Sequence, residues 1–115
     1  MKTGSLAGLA AIAGIAIAGG TTAAAHLAPA PAPKEYVVTM ANMSFGKLPA
    51  GVKVGDVIVW TNKDTVPHSA TARDRSFDVR LGQGQTVKMP VKKAGTFQIY
   101  CIYHPAMRAT LTVAP

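Results

Sequence analysis

Cys101, His104 and Met107 stand three residues apart along the segment Cys101-Ile102-Tyr103-His104-Pro105-Ala106-Met107, and Cys101 is the only cysteine of the chain. A thiolate, an imidazole and a thioether are soft to borderline ligands, a set that suits copper. A trigonal group of two histidines and one cysteine, with a long and weak axial methionine, is the donor set of one-electron copper centres. The segment supplies one histidine, so a second must come from elsewhere. His68 is the only other histidine in a strand-like region; His26 lies among Ala and Pro. Taken singly, each residue has an ordinary reading: a loop histidine is commonly a solvated polar residue, and a methionine is commonly core filler. Two histidines, one cysteine and a methionine form a poor zinc set.

The segments that must position these residues read as strands. Tyr36–Met40, Val52–Val54, Val57–Thr61, His68–Ala72, Phe77–Val79, Gln85–Met89, Thr96–Cys101 and Met107–Val113 are short, apolar or β-branched, and separated by Gly, Pro, Asn and Asp. This pattern predicts a β-sandwich or barrel. No segment after residue 34 has a helical period. Cys101 then ends one strand, and a short loop carries His104 to Met107 at the start of the next. His68 enters from a different loop, behind Pro67, which fixes its own φ and pushes Val66 into an extended conformation. Ligands fixed by separate strand ends take their geometry from the sheet. Such a site is a compromise between the preferences of Cu(I) and Cu(II), which lowers the reorganisation between them.

A chain of 115 residues argues for one domain. Met1–Ala25 reads as a secretory signal peptide: Lys2 begins it, Leu6–Ala18 is apolar, and Ala23-Ala24-Ala25 precedes a cleavage point before His26. The competing reading is a retained membrane anchor. Residues 26–33 alternate Ala and Pro as an extended linker, and the folded domain covers 34–115. The expected location is therefore the periplasm. An oxidising compartment attacks an exposed lone thiolate, and a metal bond protects it. Twelve Lys and Arg against five Asp and Glu give a net charge of +7. Setting Lys2 aside leaves +6, which favours encounter with acidic protein surfaces or anionic membranes. Few aromatics, no nucleic-acid motif and export argue against nucleic acid as a partner.

Read in order, Met43-Ser44-Phe45, Val52 to Asn62 (VKVGDVIVWTN), Pro67-His68, Gly95-Thr96-Phe97 and Tyr100 to Arg108 (YCIYHPAMR) resemble the cupredoxins, in particular the small bacterial amicyanin- and plastocyanin-like members. The resemblance covers most of the domain. It implies an all-β Greek-key sandwich of about seven to eight strands. It also implies one copper ion held by His68, Cys101, His104 and Met107, with Ser69, Pro67 and Pro105 around them. His104, ringed by Pro105, Ala106 and Met43, is then the electron port. Ser69 stands where many family members carry Asn. Its backbone N–H is expected to reach the Cys101 sulfur, while the side-chain tie between the ligand loops is altered. Tyr103 replaces a common Pro. Pro105 has no N–H to offer the sulfur, which leaves the thiolate a stronger donor and lowers the reduction potential. Met40, Met43 and Met89 read as packing, Trp60 as a core anchor, and Asp56 and Asp64 as turn residues with no further role.

The function expected on these grounds is a soluble, monomeric one-electron carrier that is not an enzyme. It would work between redox proteins such as a dehydrogenase, a cytochrome c, a nitrite reductase or an oxidase, docking on an acidic surface. A membrane is involved only if the leader segment is retained. The alternative is copper storage or delivery with the same ligands. A copper enzyme lacks support, because four protein ligands leave no open position for substrate.

Overall fold

The computed structural model describes residues 32–115 together with residues 3, 4, 14 and 19. The expected signal peptide, its cleavage point and His26 lie outside the described residues. Among the described residues nine strands follow in order: Glu35–Ala41 (β1), Ser44–Phe45 (β2), Val52–Lys53 (β3), Val57–Asn62 (β4), His68–Ala72 (β5), Asp78–Leu81 (β6), Thr86–Pro90 (β7), Gly95–Tyr100 (β8) and Arg108–Ala114 (β9). They form two sheets, β2-β1-β4-β7 and β3-β9-β8-β5-β6. Most neighbours are antiparallel; β1–β4 and β3–β9 are parallel. The strand count exceeds the expected seven to eight because β2, of two residues, is too short to announce itself by alternation, while the strand expected at Val52–Val54 is present as β3, one residue shorter. The strand expected at Phe77–Val79 begins and ends later, at Asp78–Leu81. Phe77 packs its ring on Phe97 instead, with centroids 5.7 Å apart.

A strand's period of two decides which residues meet between the sheets. Val38 and Met40, Ile58 and Trp60, Ala70 and Ala72, Phe97 and Ile99, and Leu111 and Val113 form one buried cluster. Trp60 is fully buried, with Phe45 edge-on at 6.1 Å. Truncating such a side chain to Ala costs about 3–5 kcal/mol. The inward series of three strands ends in polarisable or polar groups. His68 precedes Ala70 and Ala72 on β5, Cys101 follows Phe97 and Ile99, and Met107 precedes Ala109 and Leu111. Because β5 and β9 are each antiparallel to β8, these ends lie at one end of the sandwich.

Asp56 does more than occupy a turn. Gly55, at φ 98°, admits a left-handed bend that a side chain would oppose. The Asp56 carboxylate then accepts the backbone N–H of Lys34 (3.1 Å) and of Lys53 (2.9 Å). It thereby joins the start of β1 to β3, and these two N–H groups hold its pKa below the usual 3.8.

Candidate metal centre

His68 is fully buried, and its two ring nitrogens are engaged differently. Nε2 lies 2.7 Å from Asp64 Oδ2. An ionised carboxylate can only accept, so Nε2 carries the hydrogen, and the lone pair that the ring can offer a metal is the one at Nδ1. Nδ1 lies 3.8 Å from Cys101 Sγ, which is also fully buried. Two atoms sharing one ion at bonds of about 2.0–2.3 Å stand roughly 3.5–3.9 Å apart for angles from tetrahedral to trigonal.

Asp64, expected to be a plain turn residue, is the hub behind His68. Its carboxylate also accepts the backbone N–H of Asn42 (2.8 Å) and Met43 (2.9 Å). Those two residues join β1 to β2 with φ of 52° and 60°, a left-handed pair that non-glycine residues adopt rarely. The His68 hydrogen bond, then the Met43 N–H, hold the Asp64 pKa below its ordinary value. Asn62 shapes the same loop. Its fully buried amide donates to Val66 O (2.8 Å), Gly82 O (3.1 Å) and Leu81 O (3.3 Å), and its Oδ1 accepts from Asp64 N–H (2.9 Å). Pro67, expected to hold the approach to His68, is exposed; the described contacts that fix the loop belong to Asn62 and Asp64. The spacing of Asp64 and His68, four residues apart across a turn, was the one available signal for this pair.

On the other side, the 101–107 loop closes on its own backbone. Cys101 N–H donates to Met107 O (3.1 Å), His104 N–H to Cys101 O (3.3 Å) and Met107 N–H to His104 O (2.8 Å). Met107 is buried and belongs to the same cluster as Cys101. His104 is half-buried and edge-on to His68, with ring centroids 5.3 Å apart and planes at 75°. Its Nε2 is buried with no hydrogen-bond partner among the described residues, an orphan that a metal bond or a small ring rotation would satisfy. Among the described residues, no three His, Cys, Asp or Glu side chains gather as one metal-holding group. His68 and Cys101 face each other, while the His104 ring, borne by a loop, stands beside them.

The strands carrying His68 and Cys101 part company just before the site. β5 and β8 pair only through Thr71–Tyr100 and Ala72–Ile99. Beyond that point side chains replace the ladder: Ser69 N–H donates to Cys101 Sγ (3.3 Å), and Ile102 N–H donates to Ser69 Oγ (2.9 Å). The expected backbone bond to sulfur is present. The tie between the two loops, expected to be altered, is made here by a hydroxyl acceptor. Pro105 is exposed and contributes no N–H. Its carbonyl accepts from exposed Arg108 (3.2 Å). Pro105, Ala106 and Met43, the residues expected around His104, are all exposed, Met43 at 44%. A separate cavity of about 230 Å³, lined by Phe77, Met89, Val91, Phe97 and Leu111, contains none of these groups.

Residues 10–113 match the family of cupredoxin-like domains. The chain is 31% identical to amicyanin-alpha of Methylorubrum extorquens over 104 residues, covering 85% of each. It is 28% identical to amicyanin of Paracoccus denitrificans over 83 residues, covering 67% of this chain and 63% of that relative, just under two thirds of its length. Among solved structures, a reduced amicyanin mutant is similar with a TM-score of 0.61 at 26% identity, covering 73% of this chain and 84% of that one. A Cu(I) form of another amicyanin mutant is similar with a TM-score of 0.61 at 26% identity, covering 69% and 81%.

Proposed function

Because the chain belongs to the cupredoxin-like family, we propose that it holds one copper ion through His68, Cys101, His104 and Met107 and carries single electrons between redox proteins outside the cytoplasm. The observation that carries this reading is the pairing of His68 Nδ1 with Cys101 Sγ at 3.8 Å, its geometry fixed by Asp64 behind the ring. Copper supplies a one-electron couple. The chain supplies the frame: β5 and Asp64 fix one imidazole, the end of β8 fixes the thiolate, and the closed 101–107 loop presents His104 and Met107. Burial of His68, Cys101 and Met107 excludes water from three ligands, and the half-exposed His104 leaves one imidazole edge as the route to a partner. Exposed Arg80 and Arg108, near this loop, add to the net charge of +7 and suit an acidic docking surface. Four protein ligands leave no position for a substrate, so the role is that of a carrier and not an enzyme.

Copper storage or delivery is the second reading, favoured by the unpartnered Nε2 of His104 on an exposed loop, where a ligand detaches easily. Adding Cu(II) to the purified protein separates the two. A carrier develops an intense red-end absorption from thiolate-to-copper charge transfer and keeps its copper against a mild chelator. A delivery protein surrenders it within minutes. Cys101→Ala abolishes the band; a band that survives the substitution removes Cys101 from the site.

A further inference from the structure

The hydroxyl of Ser69 belongs to a longer chain that ends on the outer face of the sheet. Ser69 Oγ lies 2.8 Å from Thr71 Oγ1, and Thr71 Oγ1 lies 2.9 Å from Asp78 Oδ1. Ser69 and Thr71 are two apart on β5 and share a face; Ser69 pairs with Arg80 of β6, and Thr71 with Asp78. Ser69 is fully buried and Thr71 nearly so, at 3%, whereas the Asp78 side chain is 41% exposed.

The donors in this chain can be assigned without seeing a hydrogen. Asp78 is ionised: bonds from the Arg80 guanidinium and then from the Thr71 hydroxyl hold its pKa below the ordinary value. A carboxylate only accepts, so Thr71 donates to Asp78. The Thr71 hydrogen is then spent, so Ser69 donates to Thr71. The Ser69 hydrogen is spent in turn, and its oxygen is left as an acceptor facing Ile102 N–H. The polarity runs one way, from Ile102 through Ser69 and Thr71 to Asp78, and each bond polarises the next.

We infer that Asp78, a surface carboxylate on the neighbouring strand, is a positioning residue for the ligand loop: through Thr71 it fixes the Ser69 hydroxyl as the acceptor that ties Ile102, next to Cys101, to the residue next to His68. This inference rests on the carrier reading for its redox consequence and on geometry alone for the tie. Ser69 holds both ends of the gap between β5 and β8, its N–H on the sulfur and its oxygen on Ile102. A Ser69 hydroxyl without a fixed acceptor rotates, the tie loosens, and the N–H bond to sulfur lengthens. The thiolate becomes a stronger donor and Cu(II) is favoured.

Thr71→Val, close to isosteric, and Asp78→Ala break the chain at different links; Asp78→Asn keeps an oxygen that can accept from Thr71. In the metal-free protein, amide exchange at Ile102 quickens about tenfold in Thr71→Val and Asp78→Ala, the worth of one neutral hydrogen bond, and by less in Asp78→Asn. The double variant is no faster than Thr71→Val, because Asp78 acts only through Thr71. In the copper protein the Cu(II)/Cu(I) balance moves toward Cu(II) by about threefold in the same order. Unchanged exchange at Ile102 in Asp78→Ala, or in Thr71→Val, overturns the inference, and so do additive effects in the double variant. A wild-type protein that stays colourless with copper overturns the carrier reading instead; the exchange rates judge the chain in either case.

Discussion

His68 and His104 are the same residue type, with rings 5.3 Å apart, in opposite surroundings. His68 sits on a strand, fully buried, with one nitrogen bound to a carboxylate that is itself anchored by two backbone N–H groups. His104 sits on a loop, half-buried, with a buried nitrogen that has no partner among the described residues. The first region determines where the ring must be. The second holds its backbone through three loop hydrogen bonds and leaves the ring to rotate about its own side-chain bonds. On the carrier reading proposed above, a site built this way joins a rigid half that sets ligand geometry to an accessible half through which electrons would pass. The price is an outer ligand that is easier to displace.

The sharpest way to break this contrast is to remove each imidazole in turn. His68→Gly loses the charge-transfer band, and added imidazole does not restore it, because the site of His68 is closed to solvent. His104→Gly also loses it, and millimolar imidazole brings it back through the exposed loop. Rescue of both variants would falsify the division into sealed and open halves. The next largest effect is expected at Asp64. Asp64→Ala frees the His68 ring and strips the acceptor from the left-handed Asn42-Met43 turn, so copper affinity falls by about 10–100-fold and the midpoint of denaturation falls with it. Equal affinity in a competition titration means that β5 alone orients His68. Met107→Leu keeps the band and raises the potential, at a stability cost under about 1.5 kcal/mol, since the exchange conserves volume in a buried place. An unchanged potential by voltammetry removes Met107 from the axial role.

The smallest effect is expected far from the metal ligands, at Asp56. Its folded pKa lies below the unfolded value near 3.8, so its contribution is complete above that value and disappears as pH falls through the lower, folded one. Asp56→Asn is therefore less stable at neutral pH and loses less stability between about pH 5 and 2. Parallel denaturation curves for both proteins across that range contradict the clamp between Lys34 and Lys53.

Much of the site was legible because ligand chemistry is carried by residue type. Cys, His and Met are few here, and spacing places three of them on one loop. The core was legible for a similar reason: a period of two along β5, β8 and β9 puts His68, Cys101 and Met107 on the inward face. The supporting carboxylates were not. Asp56, Asp64 and Asp78 are common turn and surface residues, and each has, beside any local partner, one that lies 22, 21 or 7 positions away in the chain. Nothing local distinguishes an aspartate that caps its own turn from one that captures a distant N–H. The two-residue strand β2 escaped for the same reason, since its identity rests on a partner strand.

The sequence by itself determined the candidate ligand types, the β-strand alternation and the basic charge, all properties of residues or of near neighbours along the chain. Only the tertiary structure decided that Asp64 fixes the His68 tautomer, that a serine hydroxyl makes the tie between the two loops, and that a surface aspartate sets the direction of that hydroxyl. A hydrogen bond has direction and short reach, so its partners exist only once folding has brought separate strands to within 3 Å or so of each other.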